Sequence, residues 1–133
     1  MIDQTELRLG NFVYEEENKI CQISCLYSKK KIEFEGHDYF DDDYQIEFKD
    51  EDGIYLSKVL NPIPINSDIL LKCGFENDLI TWSNGICWLT NDSSGTSVFV
   101  GTLSVKLPYD IHYLHQLQNL YFSLTGKELE VKL

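Results

Sequence analysis

From Tyr109 to Leu133 the apolar positions recur first at helical and then at alternating spacing. Leu114, Leu117, Leu120, Tyr121 and Leu124 fall on one stripe, while His115, Gln116, Asn119 and Ser123 fall mainly on the other side. This predicts a long amphipathic helix over about 111–125, with Asp110 as its N-cap and Gly126 as its left-handed stop. At about 1.5 Å per residue such a helix is roughly 22 Å long, enough to lie across several strands spaced about 4.8 Å apart. It needs a sheet to bury its stripe. Glu128 to Val131 then reads as a closing strand.

The N-terminal half carries the two-residue period of strands. Phe12 and Tyr14 alternate with Val13, and Ile20 opposes Cys21, Ile23 and Cys25 across a charged turn at Glu15 to Asn18, which predicts a hairpin. Ile32 and Phe34 alternate with Glu33 and Glu35. Tyr44, Ile46 and Phe48 alternate with Gln45 and Glu47 before Asp52-Gly53, a two-residue hairpin signal, and Ile54 to Leu60 reads as the return strand. Leu7 to Leu60 thus predicts about five short strands, as an SH3-like barrel or a strongly bent sheet.

Two prolines in Asn61 to Ile65 exclude regular helix and favour an extended connector. A short helix over about 67–73 follows, with Asn66 as N-cap and Gly74 as stop. Leu79 to Trp82 and Ile86 to Thr90 flank a turn at Ser83-Asn84-Gly85, so that Trp82 and Trp88 belong to one hairpin. Asn91 to Ser97 reads as a polar loop. In Ser97 to Leu107 the alternation breaks at Gly101, a bulge or a turn. The fold class is therefore α+β: mainly antiparallel strand, a short helix, and a long C-terminal helix packed on a sheet. A single domain over 1–133 is expected, with a β-rich part over 1–60 and a helix-plus-sheet part over 61–133.

The 133 residues suit one domain with an ordinary core. No apolar run approaches the roughly 18 to 20 residues of a membrane span, and the N-terminus lacks the pattern of a signal peptide, so a cytoplasmic protein is expected. Cys21, Cys25, Cys73 and Cys87 are read as reduced and mostly buried. The formal net charge of −11 changes the picture further. It argues against direct binding of nucleic acid, whose phosphates are met by lysine and arginine. Residues 33–52 hold ten of the 22 acidic residues against Lys49 alone, a formal −9.

That window invites a metal reading, which its spacing fails. A calcium loop placing its glycine at Gly53 would need an oxygen ligand where Phe48 stands and a glutamate where Val59 stands. Zinc would draw on the four cysteines with His37, His112 and His115, yet Cys21 and Cys25 sit within one strand and Cys73 and Cys87 stand apart. His112 and His115 share a helical face. Ser93-Ser94-Gly95 lacks the lysine of a phosphate loop, and no nucleophile elbow is present. Trp82, Trp88, Phe99, Tyr121 and Phe122 could line a pocket but are read as core aromatics. No catalytic residue, metal or cofactor is assigned.

Glu6 to Tyr14 (ELRLGNFVY), Asn61 to Glu76 (NPIPIN to LLKCGFE) and Tyr113 to Leu129 (YLHQLQNLYFSLTGKEL) together resemble a family of small proteins of Bacteroides-type bacteria and their phages. That family has no established activity, so the resemblance implies a source and a fold unit without a mechanism. The expected function is a non-enzymatic protein-interaction module of mobile-element or phage type. Its partner would meet the acidic window at Asp38, Asp41, Asp42, Asp43, Glu47, Asp50, Glu51 and Asp52. One alternative is an acidic DNA mimic that inhibits a host nucleic-acid-binding protein. Another is a ligand binder or enzyme with a site assembled from distant residues around His112, His115 and the tryptophans.

Overall fold

The computed structural model describes residues 2, 4–27, 31–34, 37–40, 44–57, 60–78, 81–92, 95–107 and 110–133. The chain divides into two compact units, Met1–Ile63 and Pro64–Leu133. It is an α+β protein, mainly of antiparallel sheet, as the hydrophobic pattern predicts.

The first unit contains β1 (Phe12–Glu15), β2 (Lys19–Tyr27), β3 (Lys31–Phe34), β4 (His37–Phe40), β5 (Gln45–Phe48) and β6 (Tyr55–Leu56). Strands β1, β2, β5 and β6 form a curled, half-barrel sheet in that order, and among the described residues β3 and β4 form a separate two-stranded ladder. The expected hairpin is β1–β2, with Val13 opposite Cys21. Strand β2 turns its register against β5 between Ile23 and Cys25, and such a bulge bends the sheet over its own core. That core gathers Ile2, Leu7, Val13, Cys21, Ile23, Tyr44, Ile46, Phe48 and Leu60. Buried polar groups inside it are satisfied: the Tyr44 hydroxyl donates to the Ile2 carbonyl at 2.6 Å, and the Asn11 side chain accepts from the Arg8 amide at 2.7 Å.

Two local expectations fail in this unit. Strand β4 falls within a stretch read only as acidic. Asp52-Gly53 is not a two-residue hairpin turn, because the ladder between β5 and β6 pairs only Gln45 with Leu56 and Ile46 with Tyr55. The chain instead turns more widely, with Asp50 and Gly53 both at positive φ. Among the described residues the return strand covers Tyr55–Leu56, and beside it the Ser57 amide donates to the Tyr44 carbonyl while the Ser57 hydroxyl accepts from the Tyr44 amide.

The second unit opens with α1 (Ser67–Lys72) and continues through β7 (Glu76–Asp78), β8 (Thr81–Ser83), β9 (Cys87–Asp92), β10 (Gly95–Val100), β11 (Leu103–Lys106) and α2 (Leu114–Thr125). Its five strands form an antiparallel meander in the order β11-β10-β9-β8-β7. Asn66 caps α1 as expected, its side chain accepting from the Ile69 amide at 2.9 Å. The expected polar loop over Asn91 to Ser97 is mostly ladder, since Asn91 pairs with Thr96 and Asp92 with Gly95. Pairing of Val100 with Leu103 makes Gly101-Thr102 a tight turn, with Gly101 left-handed at φ 59°.

Helix α2 begins at Leu114, later than expected, and Asp110 does not cap it. Tyr113 bridges to Pro64 and the Ile65 amide donates to the His112 carbonyl, so residues before Leu114 are held extended against the connector. The cap comes from Gln116, whose side-chain oxygen accepts from the His112 and Tyr113 amides at 3.2 and 3.3 Å. Gly126 ends the helix at φ 71° as predicted. The buried face is also rotated. His115 and Gln118 are buried with Leu114, Leu117 and Tyr121, while Leu120 and Leu124 are only half-buried. No closing strand forms at Glu128 to Val131: Leu129 is buried by itself, and the Lys132 amide donates to the Lys72 carbonyl at the end of α1.

Candidate functional site

The ladders of the second unit sort its side chains into two faces, because paired residues on neighbouring antiparallel strands point the same way. One row runs Asn77, Trp82, Leu89, Val98, Val105. Leu89 and Val98 are buried here, and Leu70 of α1 and Leu117 of α2 lie over Trp82 and Leu89 around a cavity of about 150 Å³. This is the helix-covered inner face.

The neighbouring row runs Glu76, Ser83, Trp88, Phe99, Ser104. It faces outward. Trp88 and Phe99 stand directly opposite each other and remain 39 and 40% exposed. On the β7 side the surface falls into an open depression of about 760 Å³, lined by Gly74, Glu76, Asn77, Asp78, Thr81, Ser83, Asn84, Gly85 and Trp88. Among the described residues, the side chains of Glu76, Asn77, Asp78 and Thr81 make no internal hydrogen bond, so their polar groups face solvent. The depression's floor is firmer. Asn84 accepts from the Ile86 and Cys87 amides at 3.0 and 2.9 Å, and its amide donates to the Tyr121 hydroxyl at 3.4 Å. The Ser83 hydroxyl accepts from Gly85 at 3.1 Å.

The acidic window is less uniform than its sequence. Asp38 lies in β4 opposite Glu33, and Asp41, Asp42 and Asp43 lie outside the described residues. Glu47 accepts from the Tyr27 hydroxyl at 3.0 Å, and Cys25 together with that carboxylate pushes the Tyr27 phenol up to about 12. Glu51 pairs with Lys19 and accepts from the Tyr55 hydroxyl at 3.2 Å. The Lys19 ammonium holds the Glu51 carboxyl below its ordinary range, and Glu51 in turn raises Lys19. Burial, then Glu51, raises the Tyr55 phenol. Glu47 and Glu51 are therefore committed to tying β2, β5 and the following turn together. Asp50 and Asp52 are exposed in that turn.

The histidines do not form a shared face. His112 precedes α2 and is exposed, whereas His115 is buried and its ring stacks on Tyr113 at 5.9 Å. The aromatic set divides as well. Trp82 belongs to the inner cavity and Trp88 to the outer depression, Tyr121 is buried, and Phe99 and Phe122 are exposed. All four cysteines are free thiols, and burial pushes those of Cys73 and Cys87 up to about 11. Among the described residues no three histidine, cysteine or acidic side chains converge as metal ligands, and no helix is long and apolar enough to cross a membrane.

The reading of single residues missed Glu76, Asp78 and Ser83 as a surface unit. The signal that could have found them was parity: a turn that pairs Ser83 with Trp88 must send Trp82 and Trp88 to opposite faces. Comparison with protein-family models, curated proteins and solved structures returns no match for this chain.

Proposed function

We propose that this chain is a non-enzymatic binding module of bacterial mobile-element or phage type, acting in the cytoplasm through protein partners. The recognition surface in this reading is the outer face of the second unit's sheet. The observation that carries it is the row Glu76, Ser83, Trp88, Phe99, Ser104, which sets two exposed aromatics beside an open polar depression. A sheet face that only meets water has no need of a paired tryptophan and phenylalanine. Exposed aromatics with free polar groups around them are the usual composition of a protein-binding patch.

The acidic window supports a second contact. With Glu47 and Glu51 assigned to internal bonds, eight acidic residues against Lys49 leave a formal −7 in the window, and Asp50 and Asp52 are exposed. Such a surface steers a basic partner toward the module more than it fixes the partner's pose.

The test is affinity capture from bacterial lysate with the intact chain, a Trp88→Ser/Phe99→Ser variant and an Asp41→Asn/Asp42→Asn/Asp43→Asn variant, each checked for native circular dichroism. The expected result is a partner lost with the aromatic pair and weakened, in a salt-dependent way, by the aspartate variant. Identical recovery by all three proteins would remove both surfaces from the function. A recovered partner that itself binds nucleic acid, lost only with the aspartates, would favour the DNA-mimic alternative.

A further inference from the structure

Resting on the outer face being the recognition surface, we infer that its ligand is an arginine side chain in an extended basic segment of the partner. The guanidinium sits over Ser83, between the Trp88 indole and the carboxylates of Glu76 and Asp78.

Three features of the surface lead to this ligand. The first is spacing. Glu76, Ser83 and Trp88 are consecutive partners across β7, β8 and β9, so the carboxylate and the indole rise from points roughly 10 Å apart, two ladder spacings of about 4.8 Å. Only the small Ser83 side chain lies between them. The gap admits a flat group that stacks on the indole while its edge meets a carboxylate, and a guanidinium does both. Asp78 follows Glu76 on the same face of β7 and offers a second acceptor along the depression.

The second feature is charge. Among the described residues the depression is lined by two carboxylates and by no lysine or arginine, on a chain of net charge −11. Neither carboxylate has an internal partner among the described residues, unlike Glu47 and Glu51. A neutral saccharide would use the indole and hydroxyls but gain nothing from this charge, and an anionic ligand would be repelled.

The third is access. Strand β7 ends the order of the second unit's sheet, its three residues are all exposed, and Glu76 and Asp78 carry the depression to that edge. An extended segment can run beside β7 and send one side chain over Ser83.

The experiment uses the full chain and a glycine-serine peptide carrying two arginines, with citrulline and lysine versions of it. Binding is read by calorimetry and tryptophan fluorescence at low and moderate salt. The expected result is saturable, salt-sensitive binding of the arginine peptide, weakened about tenfold or more by citrulline, by Trp88→Ser, and by Glu76→Gln/Asp78→Asn. Trp88→Phe should recover part of the loss. The exposed Asp50→Asn/Asp52→Asn pair serves as the charge control, and an equal loss there would overturn the inference in favour of diffuse attraction. Equal affinity for the lysine peptide would overturn the guanidinium assignment. Binding of a neutral β-glucan hexasaccharide in place of the peptides would overturn the cationic one. Failure of every peptide, with partner capture still lost in Trp88→Ser/Phe99→Ser, sinks this inference alone; capture unchanged by that variant sinks the binding surface beneath it.

Discussion

Truncating Leu117 to alanine tests the packing beneath the outer face of the second unit's sheet. Leu117 is 1% exposed on α2 and borders the roughly 150 Å³ cavity with Leu70, Trp82 and Leu89. Removing three carbon-sized groups forfeits about 2.4 kcal/mol of transfer free energy at about 0.8 kcal/mol each. A cavity already stands open beside the site, so the walls have little tendency to close. If roughly 40 Å³ of new void persists, at about 24 cal/mol per Å³ it adds about 1 kcal/mol. The expected loss is therefore about 3.5 kcal/mol. Both tryptophans of the chain lie in the second unit, so urea unfolding followed by tryptophan fluorescence reports on it directly. With a slope of roughly 1 to 1.5 kcal/mol per molar urea, the midpoint should fall by about 2.3 to 3.5 M. Leu124→Ala is the matched control, since Leu124 is only half-buried, and it should cost less than about 1.5 kcal/mol. A larger loss at Leu124 than at Leu117 would restore the helical phase read from the sequence, and a Leu117 loss below about 1 kcal/mol would refute the packing described here.

Asn66→Ala should remove the cap on the Ile69 amide and cost about 1 kcal/mol in the same unfolding assay, with Asn66→Asp nearly neutral. Cys73 and Cys87 should make the second unit less stable as pH rises from about 9 to 11. Their folded pKa values stand at about 11, above the ordinary 9.0, so the unfolded chain loses its thiol protons first across that window. Below pH 9 this contribution is complete, and a Cys73→Ala/Cys87→Ala variant should show a flatter profile by about 2 kcal/mol or more over the window. Glu51 works in the opposite direction. Its lowered pKa contributes stability at neutral pH that fades as pH falls below the ordinary carboxyl value of 4.5, and Lys19→Met should abolish that acid-side slope in a pH titration of unfolding.

Period and punctuation carried the fold class into view. Strands β1 and β2, helix α1 with its Asn66 cap, and the Gly126 stop all follow from local signals that tertiary packing does not oppose. The misreadings occur where a distant partner decides. Asp110 is a good cap by type, but Pro64 and Ile65 hold residues 112 and 113 extended, and Gln116 takes the capping role. His115 and Gln118 look polar in a helical wheel and are nevertheless turned inward. Glu128 to Val131 alternates like a strand, yet it has no ladder to join once Lys132 is bonded to the end of α1.

The same contrast explains why the outer face was harder to read than the acidic window. Charge density is a property of sequence: ten acids within residues 33–52 can be counted without knowing where any of them points. A surface site depends on register. Glu76 and Trp88 are separated by eleven intervening residues and become neighbours across Ser83 only when Glu76 pairs with Ser83 and Ser83 with Trp88. Slipping either pairing by one residue would turn Trp88 or Glu76 to the helix-covered face and dissolve the arrangement. The count of carboxylates also misleads about availability, because Glu47 and Glu51 stand in the dense window yet are held by Tyr27, Lys19 and Tyr55. Glu76 and Asp78, in a stretch that reads as ordinary surface, have no such bonds among the described residues and line one depression with an exposed indole. Freedom to bind follows from what a side chain has not already engaged, and only the ladders reveal that.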